Sequence, residues 1–353
     1  MEGPSEFDEP RFRSVFRLNF LNTERVVRRH AERTLREAPT AVKDAKVEAL
    51  VVDQLDCAAG SVAELMGLPF VTLSCSPPMY LDKHVPSPFF SWPPPASAVM
   101  RFRNQTANLV IRQLAGPTLR LINQERKKWG LQRLRDVNEV FSTRAIITQL
   151  PAALDFRPFA SCSNLFHSGQ LHDDQLDEQA WFTRLFPWDR LNRKPLMYVS
   201  MRTIHNDMPW VFKMIAEACD ESNSQLVVSL GGGRLEPAHL GTLPGDPIVV
   251  QYAPQRRLLE QSVLAINCAG LNTTLDCIAC GVPMVAIPVA EDQPGVAARI
   301  REAKLASVLP LRRLSVKRLR RIIREVLANP VYKDAARRLQ ADSATSDGVS
   351  YAA

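Results

Sequence analysis

No stretch of the 353-residue chain holds the run of about 18 apolar residues that a membrane-crossing helix requires. The opening M-E-G-P-S-E-F-D-E-P lacks the basic start and apolar centre of a secretory signal, so a cytoplasmic chain is expected. The seven cysteines, Cys57, Cys75, Cys162, Cys219, Cys268, Cys277 and Cys280, sit mostly inside apolar segments. An odd count in that setting fits reduced, buried thiols better than a disulfide framework. Cys277-Ile-Ala-Cys280 has redox spacing, yet it falls at the end of an expected helix, whereas thiolates are activated at helix starts. No second pair stands at zinc-ligand spacing, and no structural metal is expected. Gly231-Gly232-Gly233 lacks both the lysine and hydroxyl of a phosphate loop and the G-x-G-x-x-G spacing, so it reads as a turn.

What is present is an ordinary globular composition, 46% hydrophobic and 23% charged, in a length that favours about two domains. The formal charge of +7 is scattered, with its densest run at 312–324. That pattern argues against a nucleic-acid partner; it is usually a solvated helix face, and contact with anionic lipid or an acidic partner is the sharper alternative. Residues before Pro10 are expected to be disordered and 12–38 to form one amphipathic helix. Strands at 49–53 and 70–74 enclose a helix at 60–66, the α/β rhythm. A proline-rich stretch, 77–95, carries Met79, Tyr80, Phe89, Phe90 and Trp92. It is either irregular packing or rigid apolar surface for a ligand. A helix at 98–129 and strands at 145–148 and 164–166 close the first part. Residues 169–194 read as a linker. Strands follow at 196–200, 226–230, 248–252, 264–266 and 284–287, with helices at 209–219, 255–260, 272–280, 312–328 and 331–339.

The stretch 262–295 organises the rest. An apolar strand leads through Ala269-Gly270 into a helix opened by Asn272, Thr273 and Thr274, side chains that favour a first turn. Gly281 supplies its stop, with Pro283 beyond. A helix N-terminus directly after a strand and a glycine turn is an anion site. Thr273 and Asp276 share a helix face beside it, which suits Asp276 to accept from ribose hydroxyls. Asp292-Gln293 follow the next strand, at the sheet edge where open α/β folds bind ligands.

These residues resemble the donor signature of UDP-glycosyltransferases, and in particular the branch of zeaxanthin and macrolide glycosyltransferases. The matching elements are Tyr252-Ala253-Pro254-Gln255, Ala269-Gly270-Leu271-Asn272-Thr273 with Asp276, Gly281-Val282-Pro283, Pro288 and Asp292-Gln293. The resemblance implies an α/β GT-B fold of two Rossmann-like domains facing a cleft, the first without its opening strand-turn-helix. The expected division is a partial acceptor-side domain at 1–168, a linker at 169–194, a nucleotide-sugar domain at 195–330, and a final helix and tail at 331–353. It further implies inverting transfer of a hexose from a nucleotide-sugar co-substrate, foremost UDP-glucose, to an apolar hydroxylated acceptor such as a carotenoid or polyketide. No other cofactor is implied. The donor residues carried over are Gln255, Cys268, Gly270, Asn272, Thr273, Asp276, Asp292 and Gln293.

Two positions depart from the family pattern, and a third lacks its partner. Asp53 matches the aspartate that orients the catalytic histidine, or it is a strand-end carboxylate capping the next helix. No histidine here stands in the matching context. Cys268 occupies the place of a histidine that donates to the diphosphate, and a thiol is a weak donor. Arg202 replaces a glycine in a turn resembling Ser-Leu-Gly-Thr, where it either pairs with the diphosphate or fills the pocket. Two readings follow, a glycosyltransferase or a catalytically impaired remnant or partner subunit with residual nucleotide binding.

Overall fold

The structure, a computed structural model, describes residues 9–156, 162–171, 181–201, 208–233 and 235–344, with side chains from Glu24 to Ser343. The chain divides into two units, Met1–Ser168 with Ala290–Gly295, and Gly169–Val289 with Val296–Tyr351.

In the first unit, helix α1 (Glu9–Ala45) precedes strand β1 (Leu50–Asp53), helix α2 (Ala59–Leu65) and strand β2 (Phe70–Ser74). Helix α3 (Ala98–Lys128) and strands β3 (Ile146–Thr148) and β4 (Leu165–His167) complete it. The four strands pair in chain order, all parallel. α1 extends beyond the expected 12–38 at both ends, and Glu9 within it was expected to be disordered; residues 1–8 lie outside the described residues. Ala31 and Leu35 of α1 pack with Ala58, Ile122 and Leu134, a burial that fixes the inner face of this otherwise arginine-rich helix.

Buried Gln54, one residue past β1, ties the sheet edge to the proline-rich stretch. Its Nε2 donates to Ser76 Oγ at 2.5 Å and its Oε1 accepts from Ser74 Oγ at 2.9 Å and Met79 N at 3.1 Å. Farther along, Asn138 brackets Leu81 through both backbone groups, and Asn108 of α3 donates to Asp82 O. A segment without a ladder of its own thus has its buried backbone groups satisfied by side chains.

The second unit contains α4 (Trp181–Leu185), β5 (Leu196–Ser200), α5 (Pro209–Cys219), β6 (Gln225–Ser229) and β7 (Ile248–Val250). It continues through α6 (Gln255–Leu259), β8 (Ser262–Asn267), α7 (Leu271–Ala279) and β9 (Met284–Ala286). Last come α8 (Gln293–Glu302), β10 (Ala306–Val308), α9 (Val316–Ala328) and α10 (Pro330–Ala344). All six strands are parallel in the order β10-β9-β8-β5-β6-β7. β5 is buried on both faces, which is why its sequence is a continuous apolar run rather than an alternation. The order reverses beside β5, since β6 lies on one side and β8 on the other. The carboxyl ends of β5 and β8, paired through Ser200 and Asn267, therefore form the switch point where such sheets bind ligands.

α8, β10 and the short α4 were not anticipated. α8 begins at Gln293, in a polar stretch expected as a loop, and α4 lies within the expected linker, 169–194. The glycine stop of α7 behaves as expected, with Gly281 at φ 62° and Val282 N donating to Cys277 O. α10 reinforces it, because Lys333 Nζ donates to Gly281 O and Gln340 Nε2 to Ala279 O.

Replacing Gln54 with Leu strands the part-buried Met79 N–H and the buried Ser74 hydroxyl, each worth about 1–3 kcal/mol when left unpaired. The expected outcome is a lower urea midpoint with an unchanged slope, corresponding to a loss of about 3 kcal/mol.

Candidate functional site

The turn between β8 and α7 is set by Asn267, whose buried side chain accepts from Ala269 N at 2.8 Å. Ala269 adopts φ 62°, a left-handed conformation that costs a non-glycine residue of order 1 kcal/mol. Gly270 follows as the N-cap, and no side chain caps the helix. Asn272, Thr273 and Thr274 stand in the first turn of α7, as expected. Asn272 is exposed and Thr274 fully buried, and neither serves as a cap. Among the described residues, the opening N–H groups of α7 are therefore left without a side-chain acceptor, the condition for binding an anion. A Cβ on Gly270 would have only Cys268 Sγ nearby, at 3.9 Å, so the thiol stands beside this turn.

One turn into α7, Asp276 is 6% exposed. Its Oδ2 accepts from Gln255 Nε2 at 2.6 Å and its Oδ1 from Gln170 Nε2 at 2.7 Å. Gln255 is oriented in turn, because its Oε1 accepts from Tyr198 OH at 3.3 Å and Thr273 Oγ1 at 3.4 Å. Burial pushes the Tyr198 hydroxyl well above its usual range, so it stays protonated and donates. Of the expected donor residues, the structure thus joins Gln255, Thr273 and Asp276 in one network, with Gly270, Asn272 and Cys268 at the turn that leads into it.

Two contributors were not anticipated. Gln170 lies in the stretch read as linker, and Tyr198 lies inside a strand that read as uniformly apolar. Each was concealed by its surroundings, although a polar tip in an apolar strand is a signal for a buried partner.

The triple glycine forms the expected turn, with φ of 74°, 80° and 82°. A Cβ on Gly232 would fall on the Tyr252 hydroxyl. Tyr252 in turn meets Trp181 edge-on at 5.8 Å between centroids, and Trp181 is 58% exposed. Cys277 and Cys280 are ordinary packing thiols. Burial raises Cys277 well above the usual thiol range and pushes Cys280 up to about 11, so neither is an activated thiolate.

Asp292 and Gln293 belong to the Ala290–Gly295 segment that groups with the first unit. Gln293 is buried and its Oε1 accepts from Ala290 N at 3.1 Å. Arg202, with His172 and His205, lies outside the described residues.

Asp53 accepts from Leu55 N at 2.7 Å and neighbours the exposed Cys75, whose thiol is raised by burial and then by this carboxylate. The capping alternative fails as stated, because α2 starts beyond Ala58 with no side-chain cap. Exposed Cys75 also departs from the expected burial of the thiols. Just past Asp53, an apolar cavity of about 170 Å³ opens among Leu55, Met79, Leu81, Ile111, Leu119 and Phe141. The proline-rich stretch therefore supplies lining as well as packing. Among the described histidines, His167 Nδ1 lies 2.8 Å from Leu150 O, and His239 Nδ1 accepts from Glu236 N.

A family model described as UDP-glucoronosyl and UDP-glucosyl transferase matches residues 30–343. A zeaxanthin glucosyltransferase from Pantoea ananas is 32% identical over 271 residues, 75% of this chain and 61% of that protein. A second zeaxanthin glucosyltransferase, from Pseudescherichia vulneris, is 31% identical over 75% of this chain and 62% of its own length. The chain thus spans about three-fifths of the length of these curated relatives. Among solved structures, the glycotransferase of kitacinnamycin superposes with a TM-score of 0.71 at 17% identity, covering 100% of this chain and 83% of that one. The likeness shows an α/β GT-B fold with two parallel sheets.

Two glycine substitutions separate packing from openness at this edge. Gly232→Ala forces a side chain to φ 80° against Tyr252 and should cost about 2 kcal/mol or more. Gly270→Ala meets no obstacle at φ −65° and should stay within about 1 kcal/mol of the parent. Thermal unfolding of both variants measures the contrast.

Proposed function

The chain belongs to the UDP-glucoronosyl and UDP-glucosyl transferase family, and on that premise we propose that it acts in inverting hexosyl transfer. The donor is a UDP-hexose, foremost UDP-glucose, and the acceptor a hydroxyl of an apolar small molecule of carotenoid or polyketide type. The observation that carries this reading is the uncapped start of α7 beside the buried Asp276 carboxylate. The free N–H groups suit a diphosphate, whose developing charge they would stabilise as it leaves. Asp276 and Gln255 suit the ribose and base end, and Asp292 and Gln293 are assigned to the hexose. Arg202 is assigned to the diphosphate or to the filling of its pocket. On this division residues 1–168 serve the acceptor, 195–330 the donor, with 169–194 as linker and 331–353 as final helix and tail. The cavity beside Asp53 is the proposed acceptor pocket, its walls apolar and its carboxylate neighbour suited to orienting a base that takes the acceptor proton.

A second reading keeps nucleotide binding without transfer. It is favoured by Cys268, which brings no charge to the diphosphate end, and by Asp53, whose described partners are a backbone N–H and a thiol.

We place the protein in the cytoplasm, in contact with anionic lipid through α9. Leu319, Ile322, Ile323 and Val326 are buried, which turns Lys317, Arg318, Arg321 and Arg324 outward. Glu221 engages Arg320 and Arg324, whereas Lys317 and Arg321 have no acidic partner among the described residues. Such a face would bring the enzyme to a membrane-dissolved acceptor.

Calorimetric titration should show saturable UDP binding. Asp276→Ala should weaken it at least about tenfold, as expected on losing hydrogen bonds to a charged group, and Cys268→His should strengthen it. Unchanged affinity in both variants would remove the donor from this edge. Binding without transfer to any hydroxylated acceptor would favour the second reading. Sedimentation with phosphatidylglycerol vesicles should capture the protein at low salt, and Lys317→Glu with Arg321→Glu should release it. Equal capture by neutral vesicles would refute the lipid contact.

A further inference from the structure

The two amides on Asp276 are not equivalent. An ionised carboxylate offers about four lone-pair positions. Each oxygen of Asp276 takes one amide N–H and so keeps room for one further donor. Gln255 cannot turn, because its carbonyl is held by Tyr198 and Thr273 while its amide nitrogen holds Oδ2. Gln170 is held, among the described residues, through Nε2, at 2.7 Å from Oδ1. Among the described residues its carbonyl Oε1 has no partner, although the side chain is half-buried. The chain reaches this position through Gly169, whose φ of 80° suits a residue without Cβ.

Among the described residues, the amide beside Oδ1 therefore keeps an open acceptor and an open second N–H. That pair is complementary to a hydroxyl, which donates once and accepts through its lone pairs. A vicinal diol would set one hydroxyl against each carboxylate oxygen, and the hydroxyl on Oδ1 would also lie within reach of Gln170. We propose that Gln170 is a specificity-determining residue that reads one ribose hydroxyl together with Asp276, selecting ribonucleoside over deoxyribonucleoside diphosphates. The proposal rests on the nucleotide reading of α7. A sugar lacking the hydroxyl leaves a buried acceptor unpaired, and sites built around a hydroxyl reject analogues without it. A purely structural role for Gln170 would instead weaken all nucleotides alike.

The test compares UDP, 2′-deoxy-UDP and 3′-deoxy-UDP by calorimetry on the parent chain and on Gln170→Ala, with Asp276→Ala as control. The parent should prefer UDP over each deoxy analogue by roughly tenfold, the worth of one hydrogen bond to a charged group. In Gln170→Ala one of the two preferences should collapse to within about twofold while the other persists. If UDP binds, Asp276→Ala abolishes binding and Gln170→Ala leaves both preferences intact, the role of Gln170 is wrong while the site stands. A uniform loss across the three ligands likewise overturns it. If the folded parent binds no UDP, or Asp276→Ala binds as the parent does, the nucleotide reading itself fails and this inference falls with it.

Discussion

A carboxylate buried without a cation must be met by oriented hydrogen-bond donors, and the surroundings of Asp276 in the second unit answer that requirement. Asp276 receives no arginine or lysine among the described residues; two glutamine amides satisfy it instead. An amide can present either end, so its direction must be enforced. Tyr198 enforces it for Gln255 from the centre of the sheet, where burial keeps its hydroxyl protonated. The hydrogen-bonded chain therefore runs from a core strand to the ligand edge. Neutral donors leave the local field negative but unpaired, which favours hydroxyl ligands over anions at this point. The anion-binding capacity lies one turn away, at the helix start.

That helix is asymmetric in its caps. Its C-terminal carbonyls are closed by the glycine stop and by Lys333 and Gln340 from α10. Its N-terminus has no side-chain cap and follows a strained alanine held in place by Asn267. A glycine cap forgoes only a few tenths of a kcal/mol of helix stability relative to a side-chain cap, which the closed end and the buried inner face offset. Strain and open donors at the same turn are the pattern of a backbone shaped for a ligand rather than for maximal stability.

In the first unit a comparable economy centres on Gln54. One buried amide links the end of β1 to the proline-rich stretch, Asn108 of α3 holds the same stretch at Asp82, and Met79 and Leu81 within it line the apolar cavity. Cys57, in the cavity wall, is raised to about 12 by burial and then by Asp56, so the lining behaves as apolar surface.

The alternation of apolar runs and helical periods was enough to give the α/β class and most strands, because parallel strands buried on both faces leave an unbroken hydrophobic signature. The turn residues Ala269, Gly270 and Gly281 marked α7 for the same local reason, their backbone conformations being encoded in a few adjacent positions. Periodicity did not reveal α8 or β10, which are short and carry mixed composition, nor α4 within a polar stretch. Which side chains met was decided only by the tertiary structure. Gln170 and Asp276 are 106 positions apart, and Tyr198 and Gln255 are 57 apart. Hydrogen bonds between such residues depend on strand order and on the rotation of each helix against the sheet. Those are fixed by packing of the whole core, and no local window of sequence contains them.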